Sequence, residues 1–211
     1  MQHMIEHLKW RYAVKRYDPS KMISRENMTM LLESIRLSPS SFGLQPYRVL
    51  FIEDPAIREK LSIASYNQPQ IKEASCLVVF AIENNIDVAY VQSYFENLCH
   101  TRNISLEGNL LNHFESVNRS IQRMSEQEKS SWAMHQAYLA LGFFLMAAAQ
   151  LNIDANPMEG FIPGQYDEIL SLTQKGLHAV VIAAIGYRSI DDHYQRLPKV
   201  RKPAEKLFIH I

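Results

Sequence analysis

The stretch Ala137-Tyr138-Leu139-Ala140-Leu141-Gly142-Phe143-Phe144-Leu145-Met146-Ala147-Ala148-Ala149 carries no charge and has no polar face at helical spacing. A helix apolar on every side is buried on every side. At 13 residues the run is shorter than a bilayer span, which takes roughly 20. Upstream, Ser125 followed by Glu128 matches a capping box, which predicts one helix of about 25 residues. Ala137, Ala140, Gly142 and Ala147 to Ala149 are small enough for other backbones to approach closely. Such a helix either fills a domain core or lies in a subunit interface, and we expect both. It leaves through a short extended piece into the tight segment Asn156-Pro157-Met158-Glu159-Gly160.

On either side of this helix the apolar pattern alternates between helices and strands. His3 to Trp10 predicts a short helix. Ser24 is a ready N-cap for a second through Leu37, with Met28, Leu31, Leu32 and Ile35 at helical spacing. Arg48 to Glu53 reads as a strand, and Asp54-Pro55 as the start of a helix to about Tyr66. Cys76 to Ile82 and His178 to Gly186 are continuous apolar runs, hence central strands. From Asp87 to Arg123 two broken helical stripes alternate, Val91/Tyr94/Phe95/Leu98 and Leu110/Phe114/Val117/Ile121, a candidate lid or substrate wall. Pro163-Gly164 opens a short helix to about Leu172. The tail Ala204 to Ile211 reads as a strand without a hairpin partner, of the kind that pairs with another subunit.

Composition narrows the function. A chain of 211 residues with no linker and no repeat is expected to be one domain, 1–211. Its 22 basic and 22 acidic residues balance, whereas a nucleic-acid binder needs a basic excess on one face. No apolar run near Met1 to Lys9 resembles a signal peptide. Cys76, in an apolar run, and Cys99 do not make a disulfide framework. A cytoplasmic protein, without membrane or nucleic-acid partner, is the expectation.

Two basic clusters, Arg11/Lys15 and Lys199/Arg201, stand at opposite ends of the chain. They are either two solvated surfaces or one anion site built from both termini; paired donors suit a phosphate monoester. The seven glycines are too scattered for a nucleotide-binding loop, so any phosphate must be held by side chains. His3-Met4-Ile5-Glu6-His7 has a zinc-protease spacing but no third ligand, and we expect no metal. Pro39-Ser40-Ser41 with Gln45-Pro46, and Pro157-Met158-Glu159-Gly160, offer hydroxyls and backbone N–H groups on rigid paths.

In order, Arg11-x3-Lys15-x2-Asp18, Pro39-Ser40-Ser41-x3-Gln45-Pro46, Asn67 before Ala74-Ser75, Gln136, Pro157-x-Glu159-Gly160, Gly186-Tyr187 and Lys199-x-Arg201 resemble the nitroreductase family of flavin mononucleotide enzymes. The resemblance implies an α+β fold with a mainly antiparallel sheet flanked by helices. It also implies an intertwined homodimer whose C-terminal strand crosses to the partner. FMN is the implied cofactor, with NADH or NADPH as electron donor. Arg11, Lys199 and Arg201 would hold the phosphate, beside Tyr12 and Ala13, with Lys15 at the pyrimidine edge. Asn67 and Gln70 would meet that edge or the ribityl chain. Pro157, Met158, Glu159 and Gly160 would form one wall, with the Glu159 N–H near flavin N5. Pro39, Ser40 and Ser41 would come from the partner, and Gln136 lies in the long helix. Ala13 replaces a frequent serine, and Gln70 stands where some members carry lysine. The implied activity is two-electron reduction of nitroaromatics, quinones or similar flat acceptors in ping-pong order. A specialised dehydrogenase, dehalogenase or flavin-processing enzyme, or a non-catalytic flavin-binding protein, are the alternatives.

Overall fold

The computed structural model describes residues 2–211. Helix α1 (Gln2–Trp10) and α2 (Arg25–Arg36) lead into strand β1 (Tyr47–Ile52), followed by α3 (Pro55–Ile63), α4 (Gln70–Glu73) and strand β2 (Cys76–Glu83). Helices α5 (Val88–Arg102), α6 (Gly108–Gln122) and α7 (Glu126–Gln150) come next, then strand β3 (Asp154–Met158), α8 (Pro163–Ile169), strand β4 (Leu177–Gly186) and α9 (Ala204–Leu207). The four strands form one antiparallel sheet in the order β1-β2-β4-β3.

The two apolar runs became central strands because helices cover both sheet faces. On β2, Cys76, Val78, Phe80 and Ile82 pack with Ala137, Ala140 and Phe144 of α7 in one core. Leu77, Val79 and Ala81 join Leu61, Ile71 and Tyr166 in the other. A bulge opposite Phe80/Ala81 lets the consecutive Val180 and Val181 face the same core, which shifts the phase of β4. Pro157 is tolerated in β3 because, among the described residues, β3 is an edge strand paired with β4 alone.

Helix α7 starts with the Ser125–Glu128 capping box and runs for 25 residues. Its length and composition alone would suffice for a membrane span, yet residues from Lys129 to Ala149 are buried along its sheet-facing side. Within the single chain the burial is one-sided: Leu139 and Phe143 remain 41% and 45% exposed. Their side faces away from the sheet, and among the described residues no element covers it.

The tail departs from the strand reading. Ala204–Leu207 is a helix, and the exposed Phe208 to Ile211 forms no β pair among the described residues. Pro203 starts the helical turn, and no sheet edge among the described residues receives the last four residues. The Asp54-Pro55 helix ends at Ile63, short of Tyr66, because Tyr66 and Asn67 take left-handed φ values of 57° and 55°. Asn156 and Pro157, read as part of a tight segment, belong to β3.

Candidate functional site

Helix α1 stops at Trp10, and the next residues run without regular structure until Tyr17 bridges to Arg188 beyond the end of β4. From the other end of the chain, Leu197 to Arg201 returns along α1. The Lys199 ammonium donates to the carbonyls of Leu8, at 2.8 Å, and of Arg11. Head and tail therefore enclose one cavity of about 400 Å³, lined by Lys9, Arg11, Lys15, Lys199 and Arg201 with Tyr12 and Ala13. None of the described residues lining it is acidic.

The electrostatics of that cavity are unfavourable without an anion. Burial, then the Arg201 charge, pulls the Arg11 guanidinium below its ordinary pKa. Burial, then Arg11 and Arg201, does the same for Lys199. Clustered cations that raise one another's energy form a site for a multiply charged anion.

Behind the cavity lies a network of side chains that the sequence does not announce. Asp192, fully buried, accepts from the backbone N–H groups of Lys15 (2.7 Å) and Arg16 (3.2 Å) and from the Tyr12 hydroxyl (3.0 Å) on Oδ2. Its Oδ1 accepts from Tyr194 N–H at 3.0 Å. Burial pushes this carboxyl up, but the Lys15, Arg16 and Tyr194 N–H donors and Tyr12 outweigh it, leaving the pKa below its ordinary value. Arg188 grips Asp154 with Nε and Nη2 at 2.9 and 2.5 Å, and its guanidinium carbon lies 4.2 Å from the Trp10 ring centre and 4.5 Å from that of Tyr12. The only sequence signal for Asp192 was its place as a cap before the short turn His193–Arg196.

The remaining site residues form two further groups. Gln68 Nε2 donates to the Gly160 carbonyl at 2.6 Å, tying the Asn67 turn to the Pro157-Met158-Glu159-Gly160 wall. A Cβ on Gly160 would sit 3.0 Å from that same nitrogen, so a larger residue would have to push the Gln68 side chain aside. The Glu159 carboxylate accepts from Tyr138 of α7, and burial together with that bond pushes the Tyr138 hydroxyl up to about 12. Gln70 is buried in α4, and its Oε1, like Nδ2 of Asn156, has no hydrogen-bond partner among the described residues. In the second group, Gln136 Oε1 accepts from Ser41 N–H at 2.8 Å and fixes the Pro39-Ser40-Ser41 turn against α7. That turn does not line the cation cavity of its own chain. His3 and His7 approach at 3.3 Å, and among the described residues no three His, Cys, Asp or Glu side chains gather as a metal site.

A doubly covered antiparallel sheet with a cation-lined cavity made by both chain ends defines an α+β protein with a basic surface site. The chain belongs to the nitroreductase family, whose model matches residues 8–187. It is 35% identical over 214 residues to the major NAD(P)H-flavin oxidoreductase of Aliivibrio fischeri, with 97% of each chain covered. Its fold matches a crystal structure described as a nitroreductase from Bacillus subtilis with a TM-score of 0.89 at 20% identity, each chain covered completely. A second similar fold, from Exiguobacterium sibiricum 255-15, was solved in complex with FMN; its TM-score is 0.83 at 20% identity, covering 99% of this chain and 97% of that one.

Proposed function

We propose that this chain is an FMN-dependent NAD(P)H oxidoreductase that reduces nitroaromatics, quinones or similar flat acceptors. The observation that carries the reading is the convergence of Arg11, Lys199 and Arg201 in one cavity free of acidic lining residues among those described. A side-chain phosphate site of this kind suits a mononucleotide in a chain without a glycine-rich loop. The 35% identical flavin oxidoreductase supports the same cofactor. When bound, FMN supplies the two-electron hydride chemistry.

The protein's own contribution is binding, orientation and charge. Arg11, Lys199 and Arg201 bind the phosphate beside Tyr12 and Ala13. Lys15 would face the pyrimidine edge, where its charge would favour the reduced, anionic cofactor. Asp154 and Met158, at the two ends of β3, lie about 14 Å apart at strand rise. Asn67 and Gln70 would lie beside the bound FMN, with the Gln70 side-chain oxygen buried and unpartnered among the described residues. Pro157, Met158, Glu159 and Gly160 form its wall. Were donor and acceptor to use the same open side of the bound cofactor in turn, the order would be ping-pong.

The site is completed by a second copy of the chain. Leu139, Gly142, Phe143 and Met146 form an uncovered apolar face on α7, and the exposed Phe208 to Ile211 segment reaches out with nothing of its own to pair with among the described residues. In the homodimer Pro39, Ser40 and Ser41 come from the partner, held by its Gln136. Two unpaired cysteines suit a cytoplasmic protein. Anaerobic mixing with NADH and with NADPH tests the activity. The oxidised flavin band should bleach within a turnover time and return on addition of a quinone. A band that persists through both additions would leave a flavin-binding protein without turnover.

A further inference from the structure

We infer that Asp192 is a positioning residue that sets the anion cavity's grip on phosphate by joining its two walls. The inference rests on the phosphate reading of that cavity. The walls come from opposite ends of the chain, and Arg11, Lys199 and Arg201 repel one another across the gap. Lys199 already ties the tail to the head through the Leu8 and Arg11 carbonyls, but that tie adds a cation to the cluster and does nothing to offset its charge. Asp192 is a buried carboxylate behind the cavity, and unlike Asp154, which is engaged by Arg188, it touches both sides. One oxygen takes Lys15 N–H, Arg16 N–H and the Tyr12 hydroxyl from the head segment. The other takes Tyr194 N–H, at the start of the segment that carries Lys199 and Arg201.

The chemistry requires a carboxylate. All the donors are N–H or O–H groups, and an ionised Asp offers two accepting oxygens. Asparagine offers one, and its NH2 would meet an N–H donor head-on. The isosteric variant Asp192→Asn therefore releases one wall or the other while keeping the side chain's volume. Ordered cations become mobile cations, and the loss falls on ligands that carry phosphate.

Flavin fluorescence titrations of the full chain with FMN and, separately, riboflavin test this. Asp192→Asn should weaken FMN by about tenfold or more, the scale of one charge-assisted hydrogen bond, and leave riboflavin within about twofold. Asp192→Glu, which keeps the charge, should recover part of the loss. Tyr12→Phe removes a single donor and should weaken FMN less, again sparing riboflavin; it decides the matter alone should Asp192→Asn not fold. Equal loss of both flavins, or loss of neither, would overturn the role. If the wild-type chain itself binds FMN no better than riboflavin, the phosphate reading fails and takes this inference with it. If Arg201→Ala abolishes the preference and the Asp192 and Tyr12 variants leave it intact, this inference alone fails.

Discussion

Replacing Arg188 by methionine should cost this protein about 4 kcal/mol of stability. The Asp154 side chain is 4% exposed, and Arg188, 19% exposed, is its ion-pair partner. Removing one member of a buried pair leaves the other charged and unsolvated, a loss of about 3–5 kcal/mol. The guanidinium also lies over the Trp10 and Tyr12 rings, and each cation–π contact adds roughly 0.5–1 kcal/mol. Methionine keeps much of the apolar packing and offsets part of that. Set against the roughly 5–15 kcal/mol that holds a domain folded, the variant is marginal. Urea unfolding followed by circular dichroism, at one fixed protein concentration because assembly shifts apparent stability, measures the loss. Asp154→Asn combined with Arg188→Met should cost less than the two changes summed, since the double variant buries no lone charge. A loss below about 1 kcal/mol for Arg188→Met would refute the reasoning, and strict additivity would refute the pairing.

Arg201→Ala and Lys199→Ala should each weaken FMN by about 1.5–3 kcal/mol, roughly 10- to 150-fold in Kd, as measured by fluorescence titration; unchanged affinity in both would contradict the phosphate assignment. Asp192 carries a folded-state pKa below its ordinary 3.8, so its contribution to stability is complete above 3.8 and fades as pH falls through the folded value. The stability gap between wild type and Asp192→Asn should accordingly shrink only below about pH 3.8 in acid-unfolding curves; a gap that closes near neutrality would contradict the assignment. Sedimentation should find a dimer at nanomolar concentration, and Phe143→Glu on the uncovered α7 face should dissociate it. A stable flavin-loaded wild-type monomer would overturn the dimer.

What could be read in the sequence was what local chemistry decides. The Ser125–Glu128 box and the uncharged run after it fixed α7, because caps and helical periodicity act within a few residues. The runs at Cys76 and His178 could be read as central strands because burial on both faces leaves no polar alternation to confuse them. That α7 leaves one apolar side open in the single chain was not legible, since periodicity says that a face is apolar and not what covers it. The tail reading failed only over Ala204–Leu207, which is helical; Phe208 is extended, and a strand forms there only where an edge receives it. The site divides along the same line. Its cations stood out as charge pairs at the two ends. Asp192 did not, because the groups it organises, Tyr12, Lys15 and Arg16, lie 180, 177 and 176 residues away. Nothing in an Asp-Asp-His triplet announces a buried carboxylate. Arg188 and Asp154 were equally silent, their partnership being made by β3 lying beside β4.

The most direct test compares the dissociation constants of FMN and riboflavin for the wild-type chain at low and high salt. With head and tail cations closing on one phosphate, FMN should bind at least about tenfold more tightly than riboflavin, and added salt should narrow the difference. Equal affinities that ignore salt would mean that Arg11, Lys199 and Arg201 meet for some other purpose.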